Sequence, residues 1–107
     1  MYRSDLLQDK RVLVTGGGSG LGKSLGRRLL ELGAELVICG RRQDKLAATR
    51  DEFDADFPGR TSTHVCDIRD AEAVEAMLDA IWQDGPLDAL VNNAAGNFLA
   101  KSEELSP

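Results

Sequence analysis

A doubly wound parallel α/β sheet with strands in the order 3-2-1-4 is the fold this sequence predicts, and three observations predict it. Strand-like and helix-like segments alternate along its 107 residues. A glycine-rich stretch, Thr15-Gly16-Gly17-Gly18-Ser19-Gly20-Leu21-Gly22, joins the first strand-like run to the first helical one. A second unusual stretch, Asn92-Asn93-Ala94-Ala95-Gly96, follows the fourth strand-like run. Alternation of this kind implies right-handed crossovers between parallel strands. The order then brings the ends of strands 1 and 4 together, at the switch point where ligands bind in such sheets.

The first strand is read at residues 11–15, the apolar run Arg11-Val12-Leu13-Val14 and the threonine after it. The first helix is read over 20–32, from the spacing of Leu21, Leu25, Leu29 and Leu32, with Gly33 stopping it. A second strand is expected at 35–39. The second helix spans 43–57, with Leu46, Phe53 and Phe57 on one side, and Pro58-Gly59 breaks it. The third strand is placed at 61–66. The third helix starts near Asp70 and carries Val74, Met77, Leu78 and Ile81 at helical spacing until Gly85-Pro86. The fourth strand covers 87–92. Helices 1 and 2 would cover one sheet face and helix 3 the other.

Composition narrows the possible partners. With 42% apolar residues the chain can build one small packed domain. A formal net charge of −5 without a basic stripe argues against nucleic acid as the main partner. No apolar run is long enough for a membrane span, and Met1-Tyr2-Arg3-Ser4-Asp5 lacks the apolar core of a signal peptide. Lys23, Arg41 and Arg42 could form a local basic spot. Cys39 and Cys66 suit a reducing cytoplasm and read as small buried residues rather than a redox pair. No metal site is expected.

A glycine turn leading from a strand into a helix is an anion site. The helix N-terminus offers unpaired N–H groups and the positive end of a dipole, and glycine lets a pyrophosphate come close. Gly16, Gly18, Ser19, Gly20, Leu21 and Gly22 are therefore candidate cofactor-binding residues. After the second strand comes Cys39-Gly40-Arg41-Arg42, with no acid to bind a ribose 2′-OH. Guanidinium groups suit a 2′-phosphate, so NADP(H) is expected over NAD(H). Asp67 ends the third strand, where it could accept from an adenine amine or cap the following helix. Asp70 is read as that cap. In Asn92–Gly96, the asparagines can tie strands together while Ala94, Ala95 and Gly96 leave room for a ribose. His64, the only histidine, has no partner in view. Phe98 belongs either to the core or to a substrate surface.

The glycine stretch from Thr15 to Gly22, Asp67, and Asn92–Gly96, in this order and spacing, resemble the short-chain dehydrogenase/reductase family. The resemblance implies a Rossmann-like domain that uses NAD(H) or NADP(H) to move hydride at a carbonyl or an activated alkene. It assigns the pyrophosphate to Gly16, Ser19, Gly20, Leu21 and Gly22, the adenine to Asp67 and Ile68, and the ribose to Asn93, Ala94 and Gly96. A narrower likeness, through Ala95-Gly96-Asn97-Phe98-Leu99, Leu105-Ser106-Pro107 and the run Gly16 to Lys23, is to the 2,4-dienoyl-CoA reductases. There the matching Asn97 helps hold the thioester carbonyl, a catalytic role, and Phe98 lies against the acyl substrate. A generic ketone or 3-oxoacyl reductase is the alternative, and a non-catalytic nucleotide-binding module is another. The family's catalytic Ser and Tyr-x-x-x-Lys fall beyond Pro107, and the only tyrosine here is Tyr2. By this resemblance residues 1–107 are expected to be the N-terminal dinucleotide-binding portion of one domain, truncated after strand 4. Alone, this portion is not expected to catalyse hydride transfer. The longer enzyme is expected to be a homo-oligomer.

Overall fold

Val12, Leu13 and Val14 are buried on both sides because their strand is central in the sheet. A computed structural model describes residues 6–93. Its elements are β1 (Arg11–Thr15), α1 (Gly20–Glu31), β2 (Glu35–Gly40), α2 (Gln43–Asp56), β3 (Thr61–Val65), α3 (Ala71–Asp84) and β4 (Ala89–Asn92). All pairings are parallel, in the order β3-β2-β1-β4 that the sequence predicts. Alternate residues of β1 and β2 feed opposite faces. Val12, Val14, Leu36 and Ile38 pack with Leu30 of α1 and with Leu46 and Phe53 of α2. Leu13, Val37 and Cys39 pack with Val74, Met77 and Ile81 of α3. The expected division of helices between the faces is therefore present.

The ends of α1 follow from local chemistry. The Ser19 hydroxyl accepts from the Gly22 N–H at the N-terminus. At the C-terminus Gly33 adopts φ 101, and the N–H groups of Gly33 and Ala34 donate to the carbonyls of Leu30 and Leu29. That pair of bonds is a Schellman motif, which needs the left-handed conformation glycine tolerates. Asp70 caps α3 as expected, its carboxylate accepting from the N–H groups of Glu72 and Ala73.

Two expectations are corrected. The inner face of α1 is Gly22, Gly26 and Leu30, whereas Leu21 of the predicted leucine stripe is 74% exposed. The reason is close approach. A Cβ on Gly26 would stand 3.0 Å from Leu36 Cδ2 and 3.2 Å from Phe53 Cε2, so the helix docks through its glycines and leaves Leu25 and Leu29 at the rim. The second correction is β4, which starts at Ala89 and not at Leu87. The Asp88 carboxylate accepts from the Arg11 N–H at 2.8 Å, and the Asp88 N–H donates to the Arg11 carbonyl at 2.8 Å, so a side chain closes the ladder there.

Arg11 itself is only 8% exposed. Its guanidinium donates to the carbonyls of Ile81 at 2.8 Å and Gly85 at 2.7 Å, which lie at the end of α3. A cation at a helix C-terminus meets both the unpaired carbonyls and the negative end of the dipole. β1 is thereby tied to α3.

Candidate nucleotide-binding site

The glycine turn leaves β1 through Gly16, at φ 67, whose N–H donates to the Cys39 carbonyl at 2.9 Å. The Gly16 carbonyl then accepts from the Ser19 N–H at 3.1 Å and from the Ser19 hydroxyl at 2.7 Å. From the end of β4 the Asn93 amide donates to the same carbonyl at 3.2 Å and to Ser19 Oγ at 3.0 Å. Thr15 links the two strand ends from below: its hydroxyl donates to Asn92 Oδ1 at 2.9 Å and accepts from the Asn93 N–H at 2.9 Å. The two stretches singled out in the sequence, 77 residues apart, thus meet in one polar clamp.

The glycines differ in what they do. A Cβ on Gly22 would collide with the Gly16 carbonyl and stand 2.8 Å from Asn93 Nδ2. A Cβ on Gly17 would collide with Ile38. One on Gly18 would make ordinary contact with Lys45. Nothing lies within 4 Å of the position a Gly20 Cβ would take. Gly17 and Gly22 are therefore needed by the turn itself, while Gly20 leaves open space over the N-terminus of α1. An anionic pyrophosphate fits that space, with backbone N–H groups and the helix dipole to meet it.

Beside the turn lies a cavity of about 260 Å³ lined by Gly16, Gly40, Arg41, Cys66, Asp67, Ile68 and Arg69. Arg41 thus lies on the wall of this cavity. Arg42 turns to Asp44 instead, donating from Nε at 3.2 Å and from Nη2 at 3.1 Å. Asp67 is held by Arg69 in the same way, through the backbone N–H at 3.0 Å, Nε at 3.1 Å and Nη2 at 3.1 Å. The Arg69 side chain, then its backbone N–H, hold the Asp67 carboxyl well below the usual range, at about 2. Cys39 and Cys66 are both free and buried, as read from the sequence. Burial first, and the neighbouring Cys66 second, push the Cys39 thiol up to about 12. His64 lies half-buried in β3, and burial lowers its pKa.

Ala94, Ala95, Gly96, Asn97 and Phe98 lie outside the described residues. Two residues carry roles here that the sequence reading does not assign: Thr15, read only as the end of the first strand and the opening of the glycine stretch, and Arg69, given no role. The spacing Asp67-x-Arg69 is the signal that could have found the last, since an Asp two residues before a donor N–H forms an Asx turn. Among the described residues no three His, Cys, Asp or Glu side chains group to hold a metal ion, and no helix is long and apolar enough to cross a membrane.

A sequence model of the short chain dehydrogenase family matches residues 10–107. A probable 2,4-dienoyl-CoA reductase of Bacillus subtilis strain 168 is 38% identical over 102 residues, covering 94% of this chain and 40% of that protein. Among solved structures, the citronellol catabolism dehydrogenase AtuB of Pseudomonas aeruginosa PAO1 superposes with a TM-score of 0.81 at 40% identity, over 86% of this chain and 38% of its own. The F189W actinorhodin polyketide ketoreductase, solved with NADPH, gives a TM-score of 0.74 at 35% identity, over 81% and 33% of the two chains. The chain spans between 33% and 40% of the length of these three proteins.

Proposed function

We propose, for a chain that belongs to the short-chain dehydrogenase family, that it forms the cofactor-binding part of an NADP(H)-dependent oxidoreductase acting on an enoyl- or 2,4-dienoyl-CoA. The observation that carries the nucleotide reading is the clamp between β1 and β4. Asn93 fixes the Gly16 carbonyl and the Ser19 hydroxyl, and the N-terminus of α1 stays open above Gly20. Gly16, Gly18, Ser19, Gly20, Leu21 and Gly22 would hold the pyrophosphate. Asp67 and Ile68 would flank the adenine, and Asn93 with Ala94, Ala95 and Gly96 the ribose. Arg41, on the cavity wall, supports a 2′-phosphate. Arg42, engaged by Asp44, supports it less. The NADPH in the ketoreductase fits this choice. When bound, the cofactor supplies the hydride, and these residues only bind and orient it.

The acyl-CoA part of the reading rests on the Bacillus relative and on Asn97 and Phe98. A fixed Asn97 amide would donate to the thioester oxygen as negative charge grows there, and Phe98 would contact the acyl chain. No Tyr-x-x-x-Lys occurs in the 107 residues, so we place the proton-transfer group elsewhere in the whole protein. A cytoplasmic homo-oligomer is the proposed setting. The likeness to a polyketide ketoreductase favours ketone or 3-oxoacyl reduction as a second reading. Steady-state rates of the whole enzyme with a 2,4-dienoyl-CoA and with a 3-oxoacyl thioester separate the two. Turnover of the dienoyl-CoA with NADPH is expected; ketone reduction without any dienoyl or enoyl activity transfers the assignment to the second reading.

A further inference from the structure

The loop after β3 carries a feature that the cofactor reading leaves unused. Three donors of Arg69 bind the Asp67 carboxylate, two on Oδ1 and one on Oδ2. An ionised carboxylate oxygen accepts about two hydrogen bonds, so Oδ1 is filled and Oδ2 keeps one open lone pair. Both residues line the cavity between the ends of β2 and β3. We propose that Arg69 is a positioning residue for the nucleobase: its planar fork locks the Asp67 carboxylate so that the open lone pair of Oδ2 accepts from the exocyclic amine of a purine. This rests on the nucleotide reading above. The low pKa of Asp67 agrees with it, because an oxygen that stays ionised remains an acceptor. A lysine keeps the charge of Arg69 but cannot form the fork.

The test is calorimetric titration of the protein, Arg69→Gln and Arg69→Lys with NADPH, NADH and the hypoxanthine analogue of NADPH. That analogue replaces the amine with a carbonyl oxygen, an acceptor facing an acceptor. The unmodified protein should prefer NADPH to the analogue by about 10-fold or more, the scale of one charge-assisted hydrogen bond. Arg69→Gln should bring that ratio toward one and leave the ratio of NADPH to NADH unchanged; Arg69→Lys should fall between. The Arg69 side chain is mostly exposed, so melting temperatures should not move. Equal weakening of all three ligands would mean that Arg69 only braces the loop, and a fall in the NADPH-to-NADH ratio would mean that it grips the phosphate; either overturns the proposal. An unmodified protein that ignores the base, or an Arg69→Gln that leaves the base preference intact, overturns it too while nucleotide binding stands. Failure of the unmodified protein to bind all three removes the nucleotide reading itself.

Discussion

The turn after β1 and the loops after β2 and β3 border the same crevice but are built from opposite materials. The turn is backbone. Its contacts run through backbone N–H groups and carbonyls, the Ser19 hydroxyl and the Asn93 amide, at 2.7 to 3.4 Å, and its specificity lies in side chains that are absent. The loops are charge. Arg42 pairs with Asp44 and Arg69 with Asp67, all on exposed side chains that hold each other. A backbone cradle is fixed before a ligand arrives, as phosphate binding requires. Exposed ion pairs are worth little in stability. The first region should therefore answer mutation through folding and binding together, and the second through selectivity alone.

Gly22→Ala tests the rigid side most severely. The added Cβ meets the Gly16 carbonyl, which is backbone and cannot swing away. Overpacking of this kind should destabilise by about 3 kcal/mol, seen as a melting temperature lower by roughly 10 °C or more. An unchanged melting curve would show the turn to be as adaptable as the loops. Gly20→Val comes next and separates the two roles of the turn. The space there is open, so the fold should persist while NADPH affinity falls by about 100-fold as the side chain fills the phosphate position. Normal binding would leave the glycines with a purely structural role.

On the loop side, Arg41→Asp should invert the preference for NADPH over NADH by about 10-fold or more with no change in melting temperature. Arg42→Ala should leave the preference nearly intact, because Asp44 already engages that guanidinium. Equal effects of the two would erase the distinction between them. The smallest effect expected is that of Asp70→Ala. It removes two side-chain bonds at the start of α3 and should cost about 1 kcal/mol in denaturant unfolding, without altering cofactor selectivity.

The same contrast explains what could be read in advance. The alternation of elements, the Asp70 cap and the Gly33 stop depend on neighbours within a few positions, and the sequence displays them. The meeting of the glycine turn with Asn93 was legible as well, because parallel topology puts the ends of strands 1 and 4 together. The inner face of α1 was not. Leucine spacing suggests one stripe, but tight docking against Leu36 and Phe53 selects the glycine stripe, and those partners come from other elements. Arg11 was illegible for the same reason: its carbonyl partners lie 70 and 74 residues away. In the loops the positions of Arg41 and Asp67 could be read, but not which cation each carboxylate would take.

Thr15 and Asn92 are 77 residues apart, and β1, one of the two inner strands of the sheet, leaves the ribosome well before β4. At about 5–20 residues per second, roughly 4 to 15 seconds pass between synthesis of the two partners. For that time one edge of Val12-Leu13-Val14 has no strand to pair with, although β2 is already available to the other. The glycine turn is therefore made well before it can acquire its final shape. The clamp proposed to seat a nucleotide closes only once Asn93 has emerged.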